Sequence, residues 1–286
     1  MADQYRDFAP LSITEDILHG DTELENWLCE HPGADINRLS VGGWGHPILI
    51  WTSDGIITPA KVDIARFLLA RGADVDITDT VKRTALHFAA RGVGNAAPAM
   101  VSLLLSAGAN VHARTKHHRT TPIASTVDGW SITAHTRLLR RLSTETLLDI
   151  FELLLHAGAQ LDNVAMTESE TRPKKLGILD RIKTSEGTVD GQHLFWLKSR
   201  YRLLATDAHF QEIKSISAQV LAAGSYGAYL HEQRKRVLTL RELANLGRAA
   251  TRDPVLNFLV RLGDNGVVWN VLSFWRDAGA RRTKTV

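Results

Sequence analysis

In the first half of the chain, apolar residues recur in short runs spaced for one face of a helix, and each run gives way to the same polar phrase. The runs are Leu24-Glu25-Asn26-Trp27-Leu28, Ile64-Ala65-Arg66-Phe67-Leu68-Leu69, Val101-Ser102-Leu103-Leu104-Leu105 and Ile150-Phe151-Glu152-Leu153-Leu154-Leu155. The phrases that follow are Gly33-Ala34-Asp35-Ile36-Asn37, Gly72-Ala73-Asp74-Val75-Asp76, Gly108-Ala109-Asn110-Val111-His112 and Gly158-Ala159-Gln160-Leu161-Asp162. A glycine after an apolar helical run predicts a left-handed cap, the conformation glycine adopts without a steric cost. The phrases begin at residues 33, 72, 108 and 158, giving spacings of 39, 36 and 50 residues. Self-similarity at such a period predicts stacked helical units, none of which can bury its apolar face alone.

The other half of the unit is clearest at Thr84-Ala85-Leu86-His87-Phe88-Ala89-Ala90. Here a threonine is placed to cap a short helix and tie down its first turn. The same place reads His46-Pro47-Ile48-Leu49 one unit earlier and Thr121-Pro122-Ile123-Ala124 one unit later. Proline is tolerated at a first helical position, where the missing amide has no intrahelical partner. Two stretches depart from the regular unit. Thr52-Ser53-Asp54-Gly55-Ile56-Ile57 lengthens the link between two helices before Thr58-Pro59 restarts the second, and an insert near 131–145 accounts for the longest spacing.

Thr-Ala-Leu-His-x-Ala-Ala, a second helix ending in Leu-Leu-Leu-x-x-Gly-Ala and an intervening hairpin resemble the ankyrin repeat, whose period is about 33 residues. The resemblance covers roughly residues 11–165. It implies an all-α ankyrin-repeat solenoid over 1–185, of four to five helix-turn-helix and hairpin units, and a helical capping domain over 186–286. It also implies that the leucine-rich faces are core and that His87 is a helix-stacking hydrogen-bonder, since a single histidine without partners makes no catalytic or metal site.

Beyond Asp162 the pattern degrades, with an imperfect last unit around Thr171-Arg172-Pro173 and loop-like stretches at 163–175 and 184–192. The remainder reads as non-repetitive helix. One helix is expected across Leu194 to Leu204 and another from Ile213 to Ala222, followed by a break at Gly224-Ser225-Tyr226-Gly227. A long basic helix from Tyr229 to Leu243 comes next, then helices opened by Asp253-Pro254 and spanning Val267 to Arg276. This ending resembles that of ankyrin proteins of unicellular eukaryotes in its Leu240-Arg241-x-Leu243, Gly247-Arg248-Ala249 and Val267-x-Trp269 elements. Thr239-Leu240-Arg241-Glu242-Leu243-Ala244 is also similar to the start of a SOCS box, which would imply a ubiquitin-ligase substrate adaptor. Ala244 stands where that motif has cysteine, and no Leu-Pro-x-Pro follows.

Composition adds limits rather than direction. Among 286 residues, 44% are hydrophobic and 23% charged, the balance of a soluble globular chain, and 34 basic against 31 acidic residues leave a net charge of +3. Acids are interspersed along most of the chain, so a continuous basic track for nucleic acid is disfavoured despite Arg234-Lys235-Arg236. The one cysteine, Cys29, is read as a helix-face packing residue; it excludes an intramolecular disulfide and a cysteine zinc cluster. The opening residues read as neither a secretory signal nor a transit peptide, no run is long enough for a membrane span, and a cytoplasmic or nuclear protein is expected.

No phosphate-loop, dinucleotide, zinc-protease or nucleophile-elbow pattern is present, so no enzyme and no cofactor are expected. Repeat arrays expose an extended face and a row of hairpin tips relieved of core duty, which points to a protein partner or to a place as a structural subunit of a larger complex. The register then nominates residues. Trp44 lies in the first hairpin, Asp79, Lys82 and Arg83 in the second, and Arg114, Lys116, His117, His118 and Arg119 in the third; Trp51 and Trp130 lie near the ends of the short helices. His117 and His118 are adjacent on a hairpin with no acid beside them, so a metal site is not expected.

Overall fold

The computed structural model describes residues 12–13, 21–41, 46–116, 119–126, 145–161, 208–248 and 257. The chain divides into two compact units, Met1–Lys214 and Ser215–Val286. The domain boundary expected at 185/186 lies outside the described residues.

The first unit is built from helices in long and short pairs. They are α1 (Asp21–Glu30), α2 (Ile48–Thr52), α3 (Pro59–Ala70), α4 (Ala85–Ala90), α5 (Ala97–Ser106), α6 (122–126) and α7 (Glu145–His156). The long helix of each pair packs against the long helix of the next, α1 on α3, α3 on α5 and α5 on α7, while α2 packs on α4. Within pairs, α2 packs on α3 and α4 on α5. Strand is confined to two-residue pieces: β1 (Ser12–Ile13) runs parallel to β2 (Ser40–Val41), and β2 pairs antiparallel with β3 (His46–Pro47). The described architecture is an all-α repeat fold.

The apolar runs supply its core. Leu24, Ile64, Leu68, Val101, Leu104, Ile150, Phe151 and Leu154 are almost wholly buried, as are Leu86 and Phe88 of the short helix α4. Each such side chain contributes about 1.5–3 kcal/mol on leaving water. Cys29 is the exception among the expected packing residues, for it is exposed on α1.

Three of the four repeated glycines end their helices as predicted. Gly72, Gly108 and Gly158 all have positive φ, at 86°, 89° and 92°. In each case the glycine amide and the following alanine amide close back on the last turn, Ala73 to Leu68 O, Ala109 to Leu104 O and Ala159 to Leu154 O. Gly33 lacks this conformation, because Pro32 stands at the equivalent of the C-cap residue Arg71, whose amide bonds back to Phe67 O and Leu68 O. Proline has no amide to donate and disfavours helix at the residue before it, so α1 stops at Glu30.

The polar ends of the phrases stitch neighbouring units together. Asp35 Oδ1 accepts from Asn37 N–H and Asn37 Oδ1 from Asp74 N–H; Asp74 Oδ1 accepts from Asp76 N–H and Asp76 Oδ1 from Asn110 N–H. Each short side chain caps its own corner or reaches the next, so acids recur here for geometry. On the opposite side of the units, the long link 53–58 pairs with the link after α4: Ile57 N–H donates to Val93 O at 2.7 Å and Val93 N–H to Gly55 O at 3.2 Å. Gly94, at φ 127°, is required here, since a Cβ would lie 2.5 Å from Ile57 O.

In the C-terminal half, α8 (Ala208–Ala223) starts before the expected Ile213 and buries Phe210, Ile213, Ile216, Ser217 and Val220. Gly224, at φ 80°, ends it, and the Ser225 hydroxyl caps α9 (Tyr226–Asn245) by accepting from Ala228 N–H. The expected break is present but confined to Gly224-Ser225, for Tyr226 and Gly227 already belong to α9. Gln233 of α9 donates to Gln219 of α8 at 3.1 Å. The apolar residues Leu230, Val237, Leu238 and Leu240 of α9 are only half-buried, with Leu243 exposed, while Arg241 is buried. The helices expected near Leu194 and over Val267 to Arg276 lie outside the described residues, as does the one after Asp253-Pro254 apart from the helical Asn257.

Candidate functional site

The second hairpin, between α3 and α4, is held from within by one carboxylate. Asp79 Oδ1 accepts from the amides of Val81 at 3.0 Å and Arg83 at 2.8 Å, and Oδ2 accepts from Arg83 Nε at 2.7 Å. Asp79 N–H donates to Arg83 O and Lys82 N–H to Asp79 O, closing the turn. The Asp79 side chain is only 2% exposed. The Arg83 guanidinium stacks over the Phe88 ring with 4.5 Å to its centroid. Both residues are occupied in folding the hairpin onto α4. Lys82, between them, is exposed and has φ 59°, a left-handed conformation that costs an L residue roughly 1–2 kcal/mol.

The third hairpin, between α5 and α6, is closed by other atoms, with Thr115 N–H donating to Thr120 O. Aligning Thr84 with Thr121 puts Arg119 at the place of Lys82, and Arg119 is also left-handed, at φ 47°. The same alignment puts Lys116 at the place of Asp79. Here the amide of Thr120, the counterpart of Arg83, donates to the Thr115 hydroxyl at 3.0 Å. Lys116 and Arg119 are exposed, as is Arg114. Lys116 N–H donates to Val81 O at 2.8 Å, which sets the third tip directly against the second. Lys82, Lys116 and Arg119 thus lie on two adjoining tips, and among the described residues the acid of these tips is turned inward.

His87 locks the two units together behind the tips. Its Nδ1 accepts from the Thr84 amide at 3.1 Å, so the proton sits on Nε2, which donates to Thr120 O at 2.9 Å. The Thr84 hydroxyl lies 2.9 Å from the same Nδ1. The cap is a capping box in which the Thr84 side chain faces the first turn and the His87 imidazole answers the Thr84 amide. Burial lowers the His87 pKa from its ordinary 6.5, outweighing the hydrogen bonds to the Thr120 and Ala113 backbone and the charge of Asp79, which raise it.

The nominated aromatic residues separate from the tips. Trp51 is half-buried near the linker end of α2, with Lys61 Nζ 4.7 Å from its ring centroid, and Lys61 also donates to Asp54 O at 2.7 Å. Trp44, His117, His118 and Trp130 lie outside the described residues. What sequence reading missed is the left-handed pair. The alignment on the two threonines made Lys82 and Arg119 equivalent, but neither is a glycine or asparagine, so nothing marked the turn's handedness.

Among the described residues there is no group of three or more His, Cys, Asp or Glu side chains that could hold a metal ion. No helix among them is long and apolar enough to cross a membrane. Comparison with known families matches residues 82–116 to the ankyrin repeat. The matched stretch runs from Lys82 through α4 and α5 to Lys116, one whole unit of the helix pairs and glycine-capped corners described above, so the chain carries an ankyrin repeat there.

Proposed function

We propose that this protein is a non-enzymatic scaffold or adaptor that holds a protein partner along its short helices and hairpin tips. In this reading the units stack as a solenoid over 1–185, with the C-terminal helices covering its end. Ankyrin repeats generally mediate protein–protein interaction, which supports the reading at the level of the family. The observation that carries it is the division of labour in the hairpins. Asp79, Arg83 and His87 do the work of folding, whereas Lys82, Lys116 and Arg119 are exposed and make no hydrogen bond or ion pair through their side chains among the described residues. Exposed side chains on a rigid, repeated backbone are what a recognition face needs.

The test is affinity purification of the full chain from its native source with mass spectrometry, comparing wild type with a double variant, Trp44→Ala with Arg119→Ala. A partner recovered with wild type and lost from the double variant is the expected result. An identical partner set for both would remove the hairpin tips from the reading.

A further inference from the structure

We propose that the adjoining second and third hairpin tips form a basic clamp for an acidic peptide segment of the partner protein. The proposal rests on the scaffold reading above and adds the chemistry of what is held.

Three observations carry it. First, the position that holds an acid in the second hairpin holds Lys116 in the third, and the structural duty of that acid has passed to the Thr115 hydroxyl. A neutral acceptor thus keeps the turn while the charge at the tip changes sign. Secondly, Lys116 N–H bonds to Val81 O, next to Lys82, so cations from two units are drawn together without an ion-pair partner among the described residues. Like charges held close repel, and a bound anion would relieve that repulsion. Thirdly, Lys82 and Arg119 are the non-glycine residues with positive φ among those described. Glycine would adopt φ 59° and 47° without the steric cost, so each tip keeps a long cation where the backbone favours no side chain at all. Strain of this kind, repeated at equivalent places in two units and both times under a cation, points to a use for the charge.

The anion is a peptide rather than a nucleic acid. A nucleic acid strand presents regularly spaced phosphates and needs a basic track to follow. Here the patch ends at two tips, and the corner that leads into the second tip carries Asp74, exposed, and Asp76, half-buried. A short run of Asp and Glu matches its extent; a long polyanion would run over those carboxylates.

The experiment titrates the full chain into a fluorescein-labelled dodecapeptide of alternating Glu and Ser, and separately into a labelled single-stranded oligonucleotide, at low and high salt. The proteins are wild type, Lys116→Glu, and the double variant Lys82→Gly with Arg119→Gly. The expected result is saturable, salt-weakened binding of the peptide by wild type, about tenfold weaker in the double variant and in Lys116→Glu. The double variant should melt no lower than wild type, which separates lost charge from lost fold. Absence of peptide binding, equal affinity for wild type and variants, or tighter binding of the oligonucleotide than of the peptide would overturn the proposal. If the proposal fails while the purification experiment still shows a partner lost from the tip variant, the scaffold reading stands and only the acidic chemistry falls; if both fail, both fall.

Discussion

In the second hairpin a carboxylate, Asp79, gathers the Val81 and Arg83 amides and the Arg83 side chain; in the third, the Thr115 hydroxyl gathers the Thr120 amide alone. Both turns hold a left-handed residue, Lys82 and Arg119, although the closing backbone bond runs from Asp79 N–H to Arg83 O in one and from Thr115 N–H to Thr120 O in the other. What also differs is the charge left at the surface. An acceptor is all the turn requires, so the unit can exchange an ionised acceptor for a neutral one and release the neighbouring position to carry a lysine. The price is a weaker turn, and the two hairpins should respond very differently to loss of their acceptors.

The largest expected effect is therefore at Asp79. Asp79→Ala leaves three donors without their acceptor, two of them backbone amides in a part-buried setting, and should destabilise the chain by about 2–4 kcal/mol. The figure is kept below that of a fully buried ion pair because the Arg83 side chain is 33% exposed. Urea denaturation of wild type and variant checks it. A loss under 1 kcal/mol would mean that the turn is held by its backbone bonds and Asp79 is dispensable, as its absence from the third hairpin would then suggest.

His87 comes next, since it joins the α4 cap of one unit to the hairpin of the next. Leu49 and Ala124 stand at its place in the flanking units, so His87→Leu is a substitution that the fold already uses. It removes the bond to Thr120 O and the acceptor for the Thr84 amide, and should cost about 2 kcal/mol at neutral pH. The pH dependence has a definite sign. The folded pKa is lowered, so above 6.5 both folded and unfolded His87 are neutral and its contribution is complete. As pH falls below 6.5 the unfolded chain takes up a proton that the folded one resists, and stability is lost until the folded pKa is passed. Wild type should thus lose more stability between pH 7.5 and pH 5 than His87→Leu does, with about 1 kcal/mol separating the two losses for each unit of pKa shift. Equal losses would show that His87 does not couple to the proton.

These residues also mark how far the sequence could be read. The glycines at 72, 108 and 158 were legible because a C-cap is a local geometry with a local residue preference. Gly33 was misread because the same glycine follows a proline, and the rule for the residue before proline overrides the cap. The register placed Asp79, Lys82, Arg83, Arg114, Lys116 and Arg119 in their hairpins correctly, but register names the loop and not the direction of a side chain. Asp79 and Arg83 were nominated as binding residues and are turned inward on each other and on Phe88. The pairing of the 53–58 link with Val93 was not foreseen either, although Gly92-Val93-Gly94 carried a signal: glycines flanking one residue mark a close backbone approach.

Thr115→Val sharpens the comparison from its weaker side. Valine keeps the shape and removes the acceptor, so the Thr120 amide is left to water, which its part-buried position partly allows. A loss of about 1 kcal/mol is expected, smaller than that at Asp79 because one donor is orphaned instead of three. If the two substitutions cost the same, the number of donors served is not what distinguishes the hairpins.

The smallest effect has the opposite sign. Lys82→Gly and Arg119→Gly each remove a side chain from left-handed backbone, relieving roughly 1–2 kcal/mol of strain. Glycine also makes the unfolded chain more disordered, which returns about 0.4–1 kcal/mol to the unfolded state. The net expectation is a gain of about 0.5–1 kcal/mol per site. The relief should be similar at both tips even though their acceptors differ, since handedness belongs to the turn and not to the group that closes it. A gain at Lys82 with none at Arg119 would mean that the hydroxyl-held turn is loose enough to let Arg119 leave the left-handed region, and the equivalence of the two hairpins would then hold for their sequence register but not for their rigidity.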